Sequence, residues 1–300
     1  MTLLELIQAV MDELGLQKIS GVVGNQENSV RQMLALTQRL GRDLQRDWDW
    51  QRLNREHIIT TQAVTKSVTT TEGLAIVTMA DTTGLSVDWG VSGVGVQPFS
   101  QIISVDSATQ VTLNMPATET GTNSLQFSQV EYPLPSDWKK QIGQTEWDRT
   151  NRWPLMGPQT PQAWQSFKSG IVYSGPRERF RILHNSIALN PPPPAGLLLA
   201  FEYISKNWVI DATGTSKPAF TADTDTFVYD ESLMILGVKT LFLQAKGLDY
   251  SLEGSQFTGL LNQCKAQDKS APVLSVSGQS SGRLLSLDNV PDGDWGRPQW

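Results

Sequence analysis

Two histidines, His57 and His184, and one cysteine, Cys264, are the soft ligands and nucleophiles of this 300-residue chain. Zinc sites draw several such ligands from short local spacings. Here the three fall on separate elements, so neither a metal nor a cofactor is expected. Gly278-Gln279-Ser280-Ser281-Gly282 spells the nucleophile elbow. That chemistry needs a strand before the serine and a helix after it, to hold the hydroxyl on a strained turn. A Ser/Gly-rich tail supplies neither, so the match reads as chance. Asp223, Asp225, Asp230 and Glu231 form an acidic cluster without the glycine and distal glutamate of a calcium loop. Standing just before a helix, they are expected to cap its free N–H groups. Gly93-Val94-Gly95 runs on into Val96-Gln97-Pro98 and fails the dinucleotide fingerprint. A carboxylate pair for glycoside hydrolysis has no local signature and stays open. No catalytic residue is assigned, and the chain reads as a non-enzyme.

Composition narrows the partners. Net charge is −6, and no run of Lys and Arg makes a basic face, so tight nucleic-acid binding is not expected. An acidic surface remains compatible with a conduit through which DNA slides. Ten tryptophans against five tyrosines suit partly buried surfaces such as subunit interfaces. A single cysteine excludes an intramolecular disulfide and fits a reducing cytosol. Met1-Thr2-Leu3-Leu4-Glu5 lacks the basic region of a signal peptide, and no apolar run approaches the ~18 residues of a membrane span.

The elements that position these residues follow from periodicity. Leu3, Leu6, Ile7, Val10, Met11 and Leu14 predict a helix over 3–14, stopped by Gly15. A second helix is expected over about 25–47 on the stripe Val30, Leu34, Thr37, Leu40, Leu44 and Trp48, with Asn25 or Asn28 as cap. Gly41 within it suggests close approach to another backbone. The opposite face, with Gln32, Arg39, Arg42, Asp43 and Arg46, reads as solvated. Residues 63–129 change character: Thr, Val, Ser and Gly alternate with turns every eight to twelve positions, as in an antiparallel β module inserted into a helical body. Ser136–Asn151 reads as a helix, Trp153–Pro161 as a loop, and 170–174, 179–183 and 197–205 as strands. Pro191–Pro194 reads as a polyproline connector. Residues 230–246 are apolar nearly all round, as in a buried helix, with Gly247 and Leu248 closing it. A last helix, about 250–268, places Cys264 on its apolar side as a buried thiol. The fold class expected is α+β: a helical-bundle core with an antiparallel β subdomain (1–62 and 130–269), the inserted β module, and an extended tail over 270–300. That tail is polar yet carries Leu284, Leu285, Leu287, Val290, Trp295 and Trp300, and reads as a segment that orders on a partner.

Several stretches, in order, resemble the head-to-tail adaptor (connector, head-completion) proteins of short-tailed bacteriophages. They are Val22-Val23-Gly24-Asn25 and the helix after it, ending in Trp48-Asp49-Trp50-Gln51-Arg52-Leu53; Tyr132-Pro133-Leu134-Pro135-Ser136-Asp137-Trp138; Glu146-Trp147-Asp148-Arg149-Thr150 with Gly157-Pro158 and Trp164; and Phe201-Glu202-Tyr203-Ile204-Ser205, Phe220 through Asp225, and Lys246-Gly247-Leu248-Asp249-Tyr250. The likeness covers most of 1–62 and 130–268. It implies a homo-oligomeric ring, a dodecamer, at the portal–tail junction of a virion, assembled in the host cytoplasm. The helical core would form the wall, the tail residues Leu284 to Trp300 would dock on portal subunits, and a tail nozzle or tube would bind the opposite end. Genomic DNA would pass through without specific binding. Two other readings compete: a tail or baseplate protein whose β module binds the host, and a cell-wall hydrolase.

Overall fold

A computed structural model describes residues 1–169 and 178–268. Helix α1 is Leu3–Leu14. Thr2 Oγ1 accepts from Glu5 N–H and Glu5 Oε2 accepts from Thr2 N–H, a capping box that satisfies two free donors at once. Helix α2, Asn28–Asp47, buries Val30, Met33, Thr37, Leu40 and Leu44 on one side. The expected asparagine cap is not made: Glu27 holds the cap position, and Asn25 Oδ1 accepts from Glu27 N–H in a turn outside the helix. The expectation for Gly41 is also corrected, since its neighbour is the indole ring of Trp208 rather than a backbone.

After a 3-10 turn at Gln51–Leu53, strand β1 (Asn54–Thr60) leads into a closed barrel. Its strands are β2 (Ala63–Thr70), β3 (Ile76–Met79), β4 (Gly90–Ser92), β5 (Ser100–Ser107), β6 (Gln110–Leu113) and β7 (Gly121–Ser128), in spatial order β2-β3-β6-β5-β4-β7. Alternation turns Val68, Val77, Ile102, Val111, Leu125 and Phe127 inward to form a core of their own. Entry and exit strands pair along their whole length, from Ala63 opposite Ser128 to Thr70 opposite Gly121, and closure leaves no edge to template other chains.

The remaining strands are β8 (Glu131–Pro133), β9 (Trp138–Gln141), β10 (Trp147–Asp148), β11 (Trp153–Pro154), β12 (Arg179–Leu183), β13 (Ser186–Asn190), β14 (Leu198–Ser205), β15 (Val209–Ile210), β16 (Ser216–Lys217) and β17 (Thr226–Phe227), with α3 (Pro161–Lys168) between β11 and β12. The helix expected over Ser136–Asn151 does not form. Its residues become β9 and β10, which lie end to end along one side of β14, while β1 takes the other side. Gly143, together with Gln144 at φ 68°, breaks the segment, and pairing with a buried strand overrides helix propensity. Thr160 and Pro161 start α3 inside what reads as loop, through a Thr160 Oγ1 cap on Ala163 N–H and proline at the first position. Pro191–Pro194 joins β13 to β14, beginning with a cis Asn190–Pro191 bond.

Helix α4 (Glu231–Lys246) packs against α1, α2 and α5 (Ser251–Asp268). Gly247 N–H bonds Gln244 O and Leu248 N–H bonds Leu243 O, which closes α4 as expected, although the Leu248 side chain stays exposed. Alpha-helix α5 buries no residue fully; Phe257, Leu260, Leu261 and Cys264 cover one flank of the helical core. The Cys264 thiol is therefore only partly buried. The chain is a mixed α+β fold with three cores: one among the helices with Trp208, Phe220 and Tyr229, one between the β14 and β13 sheets around Phe180, Leu199 and Phe201, and one in the barrel.

Candidate functional site

The residues expected to dock a partner, Leu284, Leu285, Leu287, Val290, Trp295 and Trp300, lie outside the described residues, as do Gly278–Gly282 and the strand expected at 170–174. Their point of departure is described. At the end of α5, the Asp268 carboxylate accepts from Gln51 N–H at 3.0 Å and from Trp48 Nε1–H at 3.3 Å. Three residues earlier, Lys265 pairs with Asp47 and lies over the Trp48 ring. The motif Trp48–Leu53 thus grips the helix that precedes the tail. Beside this joint lies a cleft of about 270 Å³ walled by Trp50, Val228, Tyr229 and Cys264. Charge-assisted bonds are directional, so these contacts hold the last turn of α5 against Trp48 and Gln51.

A second concentration of chemistry lies under β14. Asp148 is 0% exposed and accepts from Thr150 N–H, Asn151 N–H and Asn151 Nδ2–H, which ties the turn after β10. Glu146, also buried, accepts from Gln141 Nε2–H; burial still pushes its carboxyl above the ordinary range, against those bonds. Glu178 is 8% exposed, and its Oε2 has no hydrogen-bond partner among the described residues. Burial first, and the charge of Asp148 second, push the Glu178 carboxyl up to about 8. It therefore keeps its proton at neutral pH. Glu178 lies at the edge of a cleft of about 330 Å³ between the barrel and the proline run, with Val91, Phe99, Gln126 and Pro192 around it. A protonated carboxyl there can donate or accept a hydrogen bond without placing charge in the cleft. The sequence gives no signal for Glu178, which stands in a polar run between two arginines.

The other singled-out residues stay apart. His57 lies on β1 edge-on to Phe201, its basicity lowered by burial against the opposing charge of Asp137. His184 sits at φ 51° in the turn between β12 and β13. Among the described residues, no three His, Cys, Asp or Glu side chains are placed to hold a metal ion, and no helix is long and apolar enough to cross a membrane. The acidic cluster divides. Asp230 caps α4 through Leu233 N–H, and the Glu231 carboxylate pairs with the Met1 ammonium at 2.6 Å. Asp223 and Asp225 are not caps: Asp223 accepts from Val22 and Val23 N–H, while Asp225, buried, pairs with Lys217 Nζ at 2.8 Å. No known family model matches the chain, and no curated protein matches it.

Proposed function

We propose that this chain is a structural head-to-tail adaptor of a tailed bacteriophage, repeated as a ring of twelve between portal and tail and lining the DNA exit channel. The supporting observation is that the stretches carrying the resemblance meet one another in the fold. Asp223 holds the backbone of Val22-Val23. Asp137 accepts from Tyr203 Oη at 2.9 Å and from Ser205 Oγ at 2.5 Å. Trp147 and Asp148 pair with Ala200 and Leu199, the two residues of β14 just before the stretch Phe201–Ser205. Trp50 Nε1–H donates to Leu44 O at 2.7 Å. Residues that bind distant segments together report shared architecture rather than shared catalysis, which suits a scaffold subunit.

In this reading α1, α2, α4 and α5 are a helical bundle that serves as the ring wall. Ring interfaces are heterologous and close only if each copy holds one angle, so the wall has to be stiff. Residues 270–300 dock on portal subunits, with Leu284, Leu285, Leu287, Val290, Trp295 and Trp300 as anchors, and a nozzle or tube protein binds the opposite end. The subunit performs no chemistry. Mixing the purified chain with portal protein should give rings in electron micrographs. A chain ended at Asp268 should keep its circular dichroism and melting curve and lose portal binding. Equal binding by the shortened chain sinks the docking assignment, and a full chain that ignores portal sinks the adaptor reading.

A tail or baseplate protein is the second reading, favoured by the barrel's separate core and paired ends. Retention of the full chain on host glycans, with indifference to portal, would select it.

A further inference from the structure

Composition alone predicts no basic face, yet α2 makes one. Arg31, Arg39, Arg42 and Arg46 are all exposed. At about 100° per residue they fall within one arc of roughly 80°, over about 22 Å of helix, and no acidic residue lies inside the arc. Among the described residues the row's one ion pair is at its edge, where Asp43 meets Arg39 at 3.5 Å. A helix face that only needs solvating alternates charges at i,i+4, because like-charge neighbours repel. This one sets Arg42 against both Arg39 and Arg46.

The complementary charge is on the same chain. Residues 63–128 hold one basic residue, Lys66, and five acidic ones, for a net −4 out of a total of −6. Lys66 is already engaged by Asp81. Two exposed carboxylates, Glu72 and Glu119, stand at the barrel end farthest along β2 and β7 from the body. Glu72 N–H bonds Thr120 Oγ1 there, and Thr70 Oγ1–H bonds Glu119 O. Among the described residues of one copy, no ion pair joins the arginine row to the barrel.

We propose that the arginine row of α2 in one copy binds the acidic outer end of the barrel in a second copy, around Glu72 and Glu119. The two surfaces differ, so the contact is head-to-tail and each copy offers one of each, as a closed ring requires. The opposite occupant, a nucleic-acid phosphate backbone, suits a row of arginines but not the acidic barrel that would approach with it. This inference rests on the ring reading only in supposing a second copy, and portal capture is measured separately.

Sedimentation of the full chain at about 0.05 M and 0.5 M salt reads self-association and its screening. The wild-type chain should associate at low salt and dissociate at high salt. Arg42→Glu with Arg46→Glu should weaken association about tenfold or more, as should Glu72→Arg with Glu119→Arg. Mixing the two variants, or combining all four changes, should restore it. All four positions are exposed, and unchanged melting curves confirm intact folds; Arg42→Ala with Arg46→Ala serves if the reversed charges misfold. A wild-type chain that stays monomeric at low salt overturns the proposal, as does association indifferent to either pair. So does loss of duplex-DNA retention by the arginine variant with no rescue by the swap, which would assign the row to a polyanion.

Discussion

The indole of Trp208 fills the space in which a side chain on Gly41 would stand: a Cβ there would meet ring carbons at 2.2 and 2.3 Å. Trp208 is 1% exposed, stacks on Tyr229 with centroids 5.8 Å apart, and Tyr229 Oη donates to Gly41 O at 3.0 Å. One missing methyl lets α2 lie against the aromatic cluster that joins it to the small β15 sheet. Gly41→Ala gains ~1 kcal/mol of helix propensity. It must displace a fully enclosed ring, at a cost of about 1–3 kcal/mol or more for overpacking. The net expected is a loss of up to about 2 kcal/mol, read as a lower midpoint in urea. A midpoint raised above wild type would show that the ring has room to move.

Glu178 makes stability depend on pH. Its carboxyl is up to about 8 when folded, above the ordinary 4.5. Between those values the folded chain holds a proton that the unfolded chain has released, so this contribution is complete below about 4.5 and is lost as pH rises through about 8. Glu178→Gln keeps the shape and removes the titration. The variant should match wild type near pH 5 and exceed it near pH 9, by an amount of the order of a few kcal/mol. Thermal melts of both chains across that range check it, and parallel curves would place the proton elsewhere. Glu146 shifts in the same direction but is present in both chains, so the difference isolates Glu178.

The four longer helices were readable from apolar spacing, whereas α3, eight residues with only Trp164 buried, was not. Leu3, Leu6, Ile7, Val10 and Met11 are all buried on α1, as their spacing requires. The α4 stretch is apolar on several sides because α1, α2 and α5 all pack on it. Ser136–Asn151 misled for the opposite reason: Trp138 and Trp147 are half-buried against β14, a strand 60 residues away, and no local spacing encodes that pairing. The buried carboxylates were equally hidden. Glu178 becomes a perturbed acid only when Asp148 is brought near it, and sequence gives charge but not depth. The arginine face was legible from helical spacing, which sets Arg39, Arg42 and Arg46 together; reading it as merely solvated left out Arg31, about two turns upstream in the same arc.

Asp225 shows the reverse sign. It is 1% exposed, and although burial pulls its carboxyl upward, Lys217 and the N–H groups of Thr221 and Ala222 outweigh that and hold it below the ordinary range. Its stabilisation is present above about 3.8 and is lost as pH falls through the lowered value. Asp225→Ala leaves the Lys217 ammonium beside unsatisfied N–H groups and should cost about 3–5 kcal/mol. Replacing both by Met and Leu should cost less than the single change, because no charge is stranded. Urea titrations of the wild type and the two variants decide this, and a double variant as weak as the single would assign the loss to packing.

The barrel should be removable. Gln129 N–H bonds Gln62 O at 2.9 Å, so the chain enters and leaves the module at one paired position. A two-residue Asn-Gly turn matches the twist of such a pair and would bridge Gln62 to Gln129 in place of 63–128. The body keeps its two cores intact, since the buried residues of the barrel core all lie between Val68 and Phe127. What it loses includes the seat of Gly90 against Val130 and Pro192, the bond from Gln126 Nε2–H to Pro193 O, and the edge-on contact of Phe99 with Phe167 of α3, 6.2 Å between ring centroids. Exposing Val130 and Pro192 costs about 1–2 kcal/mol at ordinary transfer values, well short of a domain's stability. The shortened chain should therefore melt cooperatively, within several degrees of the parent, with its helical circular dichroism unchanged. It should also fail to self-associate, because the acidic partner of the arginine row is gone. A shortened chain that collapses would show that the barrel is structural to the body rather than carried by it.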